Sequence, residues 1–443
     1  MKNLYKLSTS ISLFFVILVF NSCHKNDYSE HLSLSDTFEI NLVKEDGKVK
    51  INWTLVRSIN FSEYRIYRIQ DPDIYNYVYR SNYVIKNIQN KHQLSYIDDA
   101  PVYLGTNYYW IEIFDNRGVR THTSNMLSIS ISEIRTFNYF PVNVIFDVEE
   151  CLLGFNSDKG YGNSFTLYNF ERDEIIIEAS IFSPHARPAF GKYNGNTELY
   201  FPAPSQRIII YNASNMSENN HMSLPNNRMA QSIAAADNGN IYVVERFGYY
   251  LYALNRTTGS ALRFWQSYMD GSNQMIYSQK LSKLLSFNNS NDWSGFLIST
   301  ALNSDGSIND YESNSKWVEG DYYSEFRFDP RNDDIYLFPN VKKFNANNLE
   351  EIPLNKPLYL NDIAFCEYFS YLAPLDQKKI IKKDLNDEVV ETFELKGYPI
   401  NVFKAKDKLV VIIVENRSQW PVSNYHLKGY PRNTPFGIEI IKL

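Results

Sequence analysis

The chain has 443 residues, with 44 basic and 50 acidic side chains for a net charge of −6, and 44% hydrophobic residues. This balance excludes intrinsic disorder and offers no cationic footprint for nucleic acid. Tyr (34), Phe (28) and Asn (48) are abundant, whereas Gly (18) and Met (7) are scarce. Aromatic residues suit pleated, half-buried surfaces and Asn suits the turns between them, so an all-β fold is predicted.

The first segment carries an address. Lys2 and Lys6 precede an apolar run from Leu7 to Phe20, long enough for a signal-peptide core but short for a bilayer span. The run stops at Asn21-Ser22-Cys23, and a Cys directly after a small residue at that place resembles the lipobox of bacterial lipoproteins, in the relaxed form found in Bacteroidetes. The resemblance implies a signal peptide over residues 1–22, cleavage before Cys23 and lipidation of Cys23. An uncleaved anchor, or an ordinary signal peptide with an incidental Cys, is the alternative. Acyl chains at about 0.8 kcal/mol per buried methylene would anchor the protein to a membrane. Residues 23–36 are polar and aperiodic and read as a tether. The acidic residues after Cys23 loosely resemble the signal for the outer face, so outer-membrane attachment with surface exposure is expected.

Cys151 and Cys366 lie in the apolar runs ECLLGF and IAFCEYF and are expected as unpaired, buried small hydrophobes.

Residues 37–132 show short alternating runs at about ten-residue spacing. Val49, Ile51 and Trp53 share one face of VKINWT, and Tyr64 and Ile66 fall in EYRIYRI, a β-sandwich pattern. The stretch from Gly105 to Asn125, GTNYYWIEIFDNRGVRTHTSN, resembles the last two strands of fibronectin type III domains. The resemblance implies that Trp53 is the core Trp, that Tyr108 or Tyr109 makes the tyrosine corner, and that the domain is a spacer.

From residue 133 to 443 one motif returns: a strand opening on apolar residues, a polar loop, and a strand closing on an aromatic or Leu followed by Asn. The openers are Leu153, Tyr200, Tyr242, Leu285, Tyr336, Leu372 and Val410. The closers are Tyr168-Asn169, Tyr211-Asn212, Leu254-Asn255, Leu302-Asn303 and Phe344-Asn345. A period of roughly 43 residues with four strands per unit predicts a β-propeller, here of seven blades. The last unit ends on its third strand, GIEIIKL, so the stretch from Glu133 to Phe140 is expected to supply the missing outer strand and close the ring. YLYALNRTTGSALRFW in the third unit resembles a quinoprotein repeat, but Asn255 replaces its Asp, Trp265 sits two positions late, and the pattern occurs once. No cofactor is expected.

Catalytic and metal signatures are missing: there is no phosphate loop, no nucleophile elbow, and no zinc- or calcium-ligand spacing. The acidic pairs Glu149-Glu150, Asp333-Asp334 and Glu350-Glu351 read as solvated turn residues. Ligands are expected on the face formed by the B to C and D to A connections. Three long B to C loops carry aromatics there: 156–164 with Tyr161, 288–295 with Asp292 and Trp293, and 416–435 with Trp420, Tyr425, His426 and Tyr430. Such rings suit stacking on sugars or anchoring a protein; alternatively, Trp420 and Tyr430 fold back on their own blade. Arg187 and Arg228, at the starts of two inner strands, either bind an anionic ligand or pair with Glu325 and Asp362.

These readings favour a non-catalytic, lipid-anchored envelope protein that captures a glycan or a protein, with no nucleic-acid partner. The alternatives are a polysaccharide-degrading enzyme built from carboxylates of several blades, and a scaffold subunit of an envelope complex.

Overall fold

The computed structural model describes residues 38–56, 60–70, 72, 75, 80–157, 163–181, 186–237, 239–246, 250–265, 274–291, 294–319, 325–417 and 434–443. Among them the chain is strand and turn, with two short 3-10 turns and no α-helix. Contacts divide it into two units, one of Met1–Val43, Lys50–Ile97 and Tyr108–Leu127, the other of Lys44–Val49, Asp98–Asn107 and Ser128–Leu443.

The first unit draws its strands from a three-stranded and a five-stranded sheet. Trp53 and Tyr64 meet edge-on at 5.3 Å, both buried. Tyr67 stacks on Trp110 at 4.6 Å. Tyr109 is fully buried, whereas Tyr108 is half-buried.

The second unit is a β-propeller of seven four-stranded antiparallel blades. The innermost A strands are Pro141–Asp147, Ala189–Tyr193, Ala230–Ala235, Gln274–Ser278, Glu325–Asp329, Leu360–Phe365 and Tyr398–Ala405. Each of the first six lies beside the A strand of the next blade, and Phe403 of the seventh stacks on Phe146 of the first at 4.7 Å. Every predicted opener falls in a B strand, and there lies the reason for the repeat. A B strand is covered on both faces by neighbouring blades, and side chains alternate between the faces, so two successive residues must both be apolar. Leu152 packs toward blade two while Leu153 packs toward blade seven, and Ile241 and Tyr242 divide in the same way between blades two and four. Each blade interface holds one such apolar cluster, in which a fully buried Leu, Val or Phe contributes about 1.5–3 kcal/mol.

The closing Asn has an equally local cause. It ends strand C, and its side-chain oxygen accepts the amides that open the C to D turn. Asn169 accepts from Glu171 and Arg172, Asn255 from Thr257 and Thr258, and Asn345 from Asn347 and Asn348. Blade six, which lacks the motif, gives that role to Asp384, which accepts from Asn386 and Glu388.

Ring closure is as expected, with a shorter strand than the sequence suggested. Arg135–Phe137 pairs antiparallel with the C-terminal strand Phe436–Lys442 as the fourth strand of blade seven. Phe137 stacks on Phe436 at 4.7 Å and meets Phe155 of blade one edge-on at 5.0 Å. Gly437 fits closely here: a Cβ would stand 2.7 Å from Ile134 Cδ1 and 2.9 Å from Leu104 Cδ2, so those side-chain ends would have to shift.

Three expectations need correction. The 288–295 stretch is not a long loop: strand B of blade four runs to Asn291, strand C starts at Ser294, and Asn289 pairs with Gly295. Asp333 and Asp334 are not free, solvated turn residues. Asp334 is buried and ion-paired to Lys343 at 2.7 Å, and Asp333 pairs with Lys280 at 2.8 Å. Cys151 and Cys366 are unpaired, as expected, but half-buried rather than buried, since each sits at a strand end.

Candidate functional site

The A strands begin at the face that also carries the B to C connections. Four of them carry a register shift at that end, between Val142 and Ile145, Ala230 and Ser232, Leu360 and Asp362, and Pro399 and Asn401. A bulge re-aims side chains and frees backbone groups from the ladder. Polar residues fill these positions and bind the next blade. Asn143, at φ 53°, donates to the Ala186 carbonyl at 3.3 Å, and Asn361 donates to the Pro399 carbonyl at 2.8 Å. Gln274 both donates to the Phe326 carbonyl and accepts the Phe326 amide, at 3.1 and 2.8 Å. The Arg187 amide donates to the Gln231 carbonyl at 2.6 Å, and the Ile233 amide donates to the Arg187 carbonyl at 3.1 Å. The channel mouth is thus a polar girdle joining blade to blade.

Inside the girdle lies a cavity of about 430 Å3. Asn143, Arg187, Ser232, Gln274 and Arg327 form its polar wall. Phe146, Phe190, Tyr277 and Phe403 are among the residues that line the remainder.

The two channel arginines differ. Arg327 holds Asp362 of the next blade through two contacts, Nε to Oδ1 at 2.8 Å and Nη2 to Oδ2 at 2.9 Å. Asp362 also accepts from Asn401 Nδ2 and from the Val402 and Ile363 amides, at 3.0, 3.1 and 2.8 Å. Desolvation opposes the charge on Arg327, but Asp362 and then Glu325 outweigh it and hold its pKa above the ordinary value. Arg187 has no such clamp: among the described residues its guanidinium makes no hydrogen bond or ion pair. Desolvation in the channel lowers its pKa to about 10, with Glu325 opposing the shift and Arg327 adding to it. A guanidinium at that value is still fully charged at neutral pH.

Of the residues singled out in the sequence, Arg187 lies in the cavity wall. Arg228 does not line it; more than half exposed, it reaches Glu245 at 3.9 Å. Of the carboxylates expected to pair with these two arginines, Asp362 is taken by Arg327, whereas Glu325 supports the charge of Arg187 without a hydrogen bond or ion pair to it. Tyr161, Trp293, Trp420, Tyr425 and Tyr430 lie outside the described residues. Sequence reasoning missed Arg327, whose signal was the alternation of charged and aromatic residues in EFRFD, unusual for an innermost strand. Among the described residues no group of three or more His, Cys, Asp or Glu side chains is placed to hold a metal ion.

No family model matches the chain, and no curated protein matches it in sequence. Among solved structures it is similar to the Cps50 (Swd1) β-propeller domain of Myceliophteria thermophila, at 9% identity and a TM-score of 0.43, covering 70% of this chain and 99% of that one. A chain of the Mitotic Checkpoint Complex matches at 6% identity and a TM-score of 0.43, covering 70% and 91%. Kluyveromyces lactis Hsv2p matches at 11% identity and a TM-score of 0.38, covering 68% and 97%.

Proposed function

We propose that the chain is a lipid-anchored protein of the cell envelope whose propeller captures a glycan or a protein without transforming it. One observation carries the non-catalytic part. The two carboxylates beside the channel mouth, Asp362 and Glu325, are already engaged. Asp362 accepts from five donors, more than a carboxylate's roughly four lone-pair sites, and buried Glu325 faces the Asn401 amide at 3.4 Å. Glycoside cleavage needs one carboxylic acid free to protonate a leaving group and one carboxylate free to attack or to activate water. A carboxylate held this way serves as structure. The envelope address rests on the lipobox-like sequence ending at Cys23, and the fibronectin-like reading of residues 37–132 makes that region a spacer.

A glycan array probed with the full chain, run beside a reducing-end release assay on the glycans that bind, tests the reading. Binding without released product supports it. Product release that is lost in Glu325→Gln overturns it in favour of the polysaccharide-degrading enzyme.

A further inference from the structure

The channel contains a charge that no side chain clamps among the described residues, although the charge of Glu325 supports it from a distance. Arg187 lines the cavity with no hydrogen-bond or ion-pair partner for its guanidinium among the described residues. Burying a charge without a partner is costly, and the usual remedies are a counter-ion or water. The carboxylate of Asp362 is saturated by Arg327, Asn401 and two backbone amides, and Glu325, whose charge supports that of Arg187, makes no hydrogen bond or ion pair with it.

A buried hydroxyl lies next to it. Ser232 is fully buried, belongs to the same cavity wall, and its Oγ has no hydrogen-bond partner. It is held beside Arg187 by the backbone pairing of the two segments. The Oγ itself is closed off from the open space, so what the wall presents to a ligand is the guanidinium fork of Arg187.

The cavity extends beyond these donors. Its 430 Å3 falls within the roughly 300–1,000 Å3 of small-molecule sites, and Phe146, Phe190, Tyr277 and Phe403 are among its other lining residues. Donors for an anion therefore adjoin a wall suited to a flat apolar body. Two carboxylates close by, Glu325 and Asp362, disfavour a doubly charged phosphate more than a single negative charge.

We propose that the channel binds a small organic anion, a carboxylate on a ring-sized apolar body, with Arg187 as its counter-ion. This goes beyond capture of a macromolecule on the loop face and does not depend on it.

The test is calorimetric titration of the full chain with benzoate, with its neutral isostere benzamide, and with inorganic phosphate. Benzoate is expected to bind, benzamide at least about tenfold more weakly, and phosphate not to displace benzoate. Arg187→Met should lower benzoate affinity at least about tenfold without lowering the melting temperature, because a desolvated charge that no side chain clamps is removed. Arg187→Lys keeps the charge but loses the fork and should bind a few-fold more weakly, which keeps the test valid if the Met variant does not fold. Absence of any benzoate heat, meaning a channel that holds water alone, overturns the proposal. So does equal binding by wild type and both Arg187 variants, or displacement by phosphate. None of these results touches the glycan-array outcome, so the two readings fail separately.

Discussion

Arg327 and Asp362, on neighbouring blades, form a two-point ion pair at 2.8 and 2.9 Å in the wall of the propeller channel. Both are shielded from water, with side chains 18% and 1% exposed. The pair joins blades five and six at the end of the ring where the inner strands begin.

Asp362→Asn should leave Arg327 charged, buried and uncompensated, and should weaken the hold on Asn401 and Val402. A loss of about 3–5 kcal/mol is expected, read as a fall in the denaturant midpoint at unchanged m-value. The double variant Arg327→Met with Asp362→Leu should recover most of it, since replacing a buried pair by apolar residues is often neutral.

Phe137 is the test of ring closure. It lies on the short strand that completes blade seven and is packed on Phe436 and Phe155. Phe137→Ala should cost about 3–5 kcal/mol as a cavity in the blade seven to blade one interface, measured by chemical denaturation. Deleting residues 133–140 should expose the edge of Phe436–Lys442, destabilise the whole propeller and promote association, seen as a lower melting temperature and a shift in sedimentation.

Acid stability should report on the blade two to blade three clamp. Arg256 grips Glu198 at 2.8 and 2.9 Å, with Tyr200 Oη and Asn219 Nδ2 donating to the same carboxylate. Desolvation pushes the Glu198 pKa up, but these hydrogen bonds outweigh it and hold the pKa below the usual carboxylate value. A depressed folded pKa stabilises the protein above the unfolded value of about 4.3, and that stability is lost as the pH falls through the folded value. Glu198→Gln should therefore be less stable at neutral pH by about 3–5 kcal/mol, and its stability should fall less steeply below pH ~4.3 than that of wild type. Urea midpoints across that range check both.

Metabolic labelling with an alkyne fatty acid tests the anchor. Wild type should carry label and Cys23→Ala should lose it; equal labelling of both overturns lipidation at Cys23.

The repeat was legible because its causes are local. A B strand covered on both faces demands paired apolar residues such as Leu152-Leu153, and a turn that must bind two amides demands Asn255 or its equivalent. The missing outer strand was legible by subtraction, since GIEIIKL ends a unit one strand short. Asp334 was misread because its partner, Lys343, is on strand C, and a turn-like sequence says nothing of what the next strand brings.

The channel was only half legible. Arg187 and Arg228 look alike in sequence, each shortly before an inner strand, yet only Arg187 enters the cavity wall, while Arg228 lies two residues ahead of its strand beside Glu245. That difference follows from where each chain segment joins the girdle, a matter of register between blades. The sequence by itself determined the strand class and the repeat length, because each depends on neighbours within one hairpin, and the closure of the ring, because counting strands leaves the last unit one short. Which arginine is neutralised and which remains without a partner was decided only by the tertiary structure, because ion pairing across blades depends on distances between strands that no local pattern encodes.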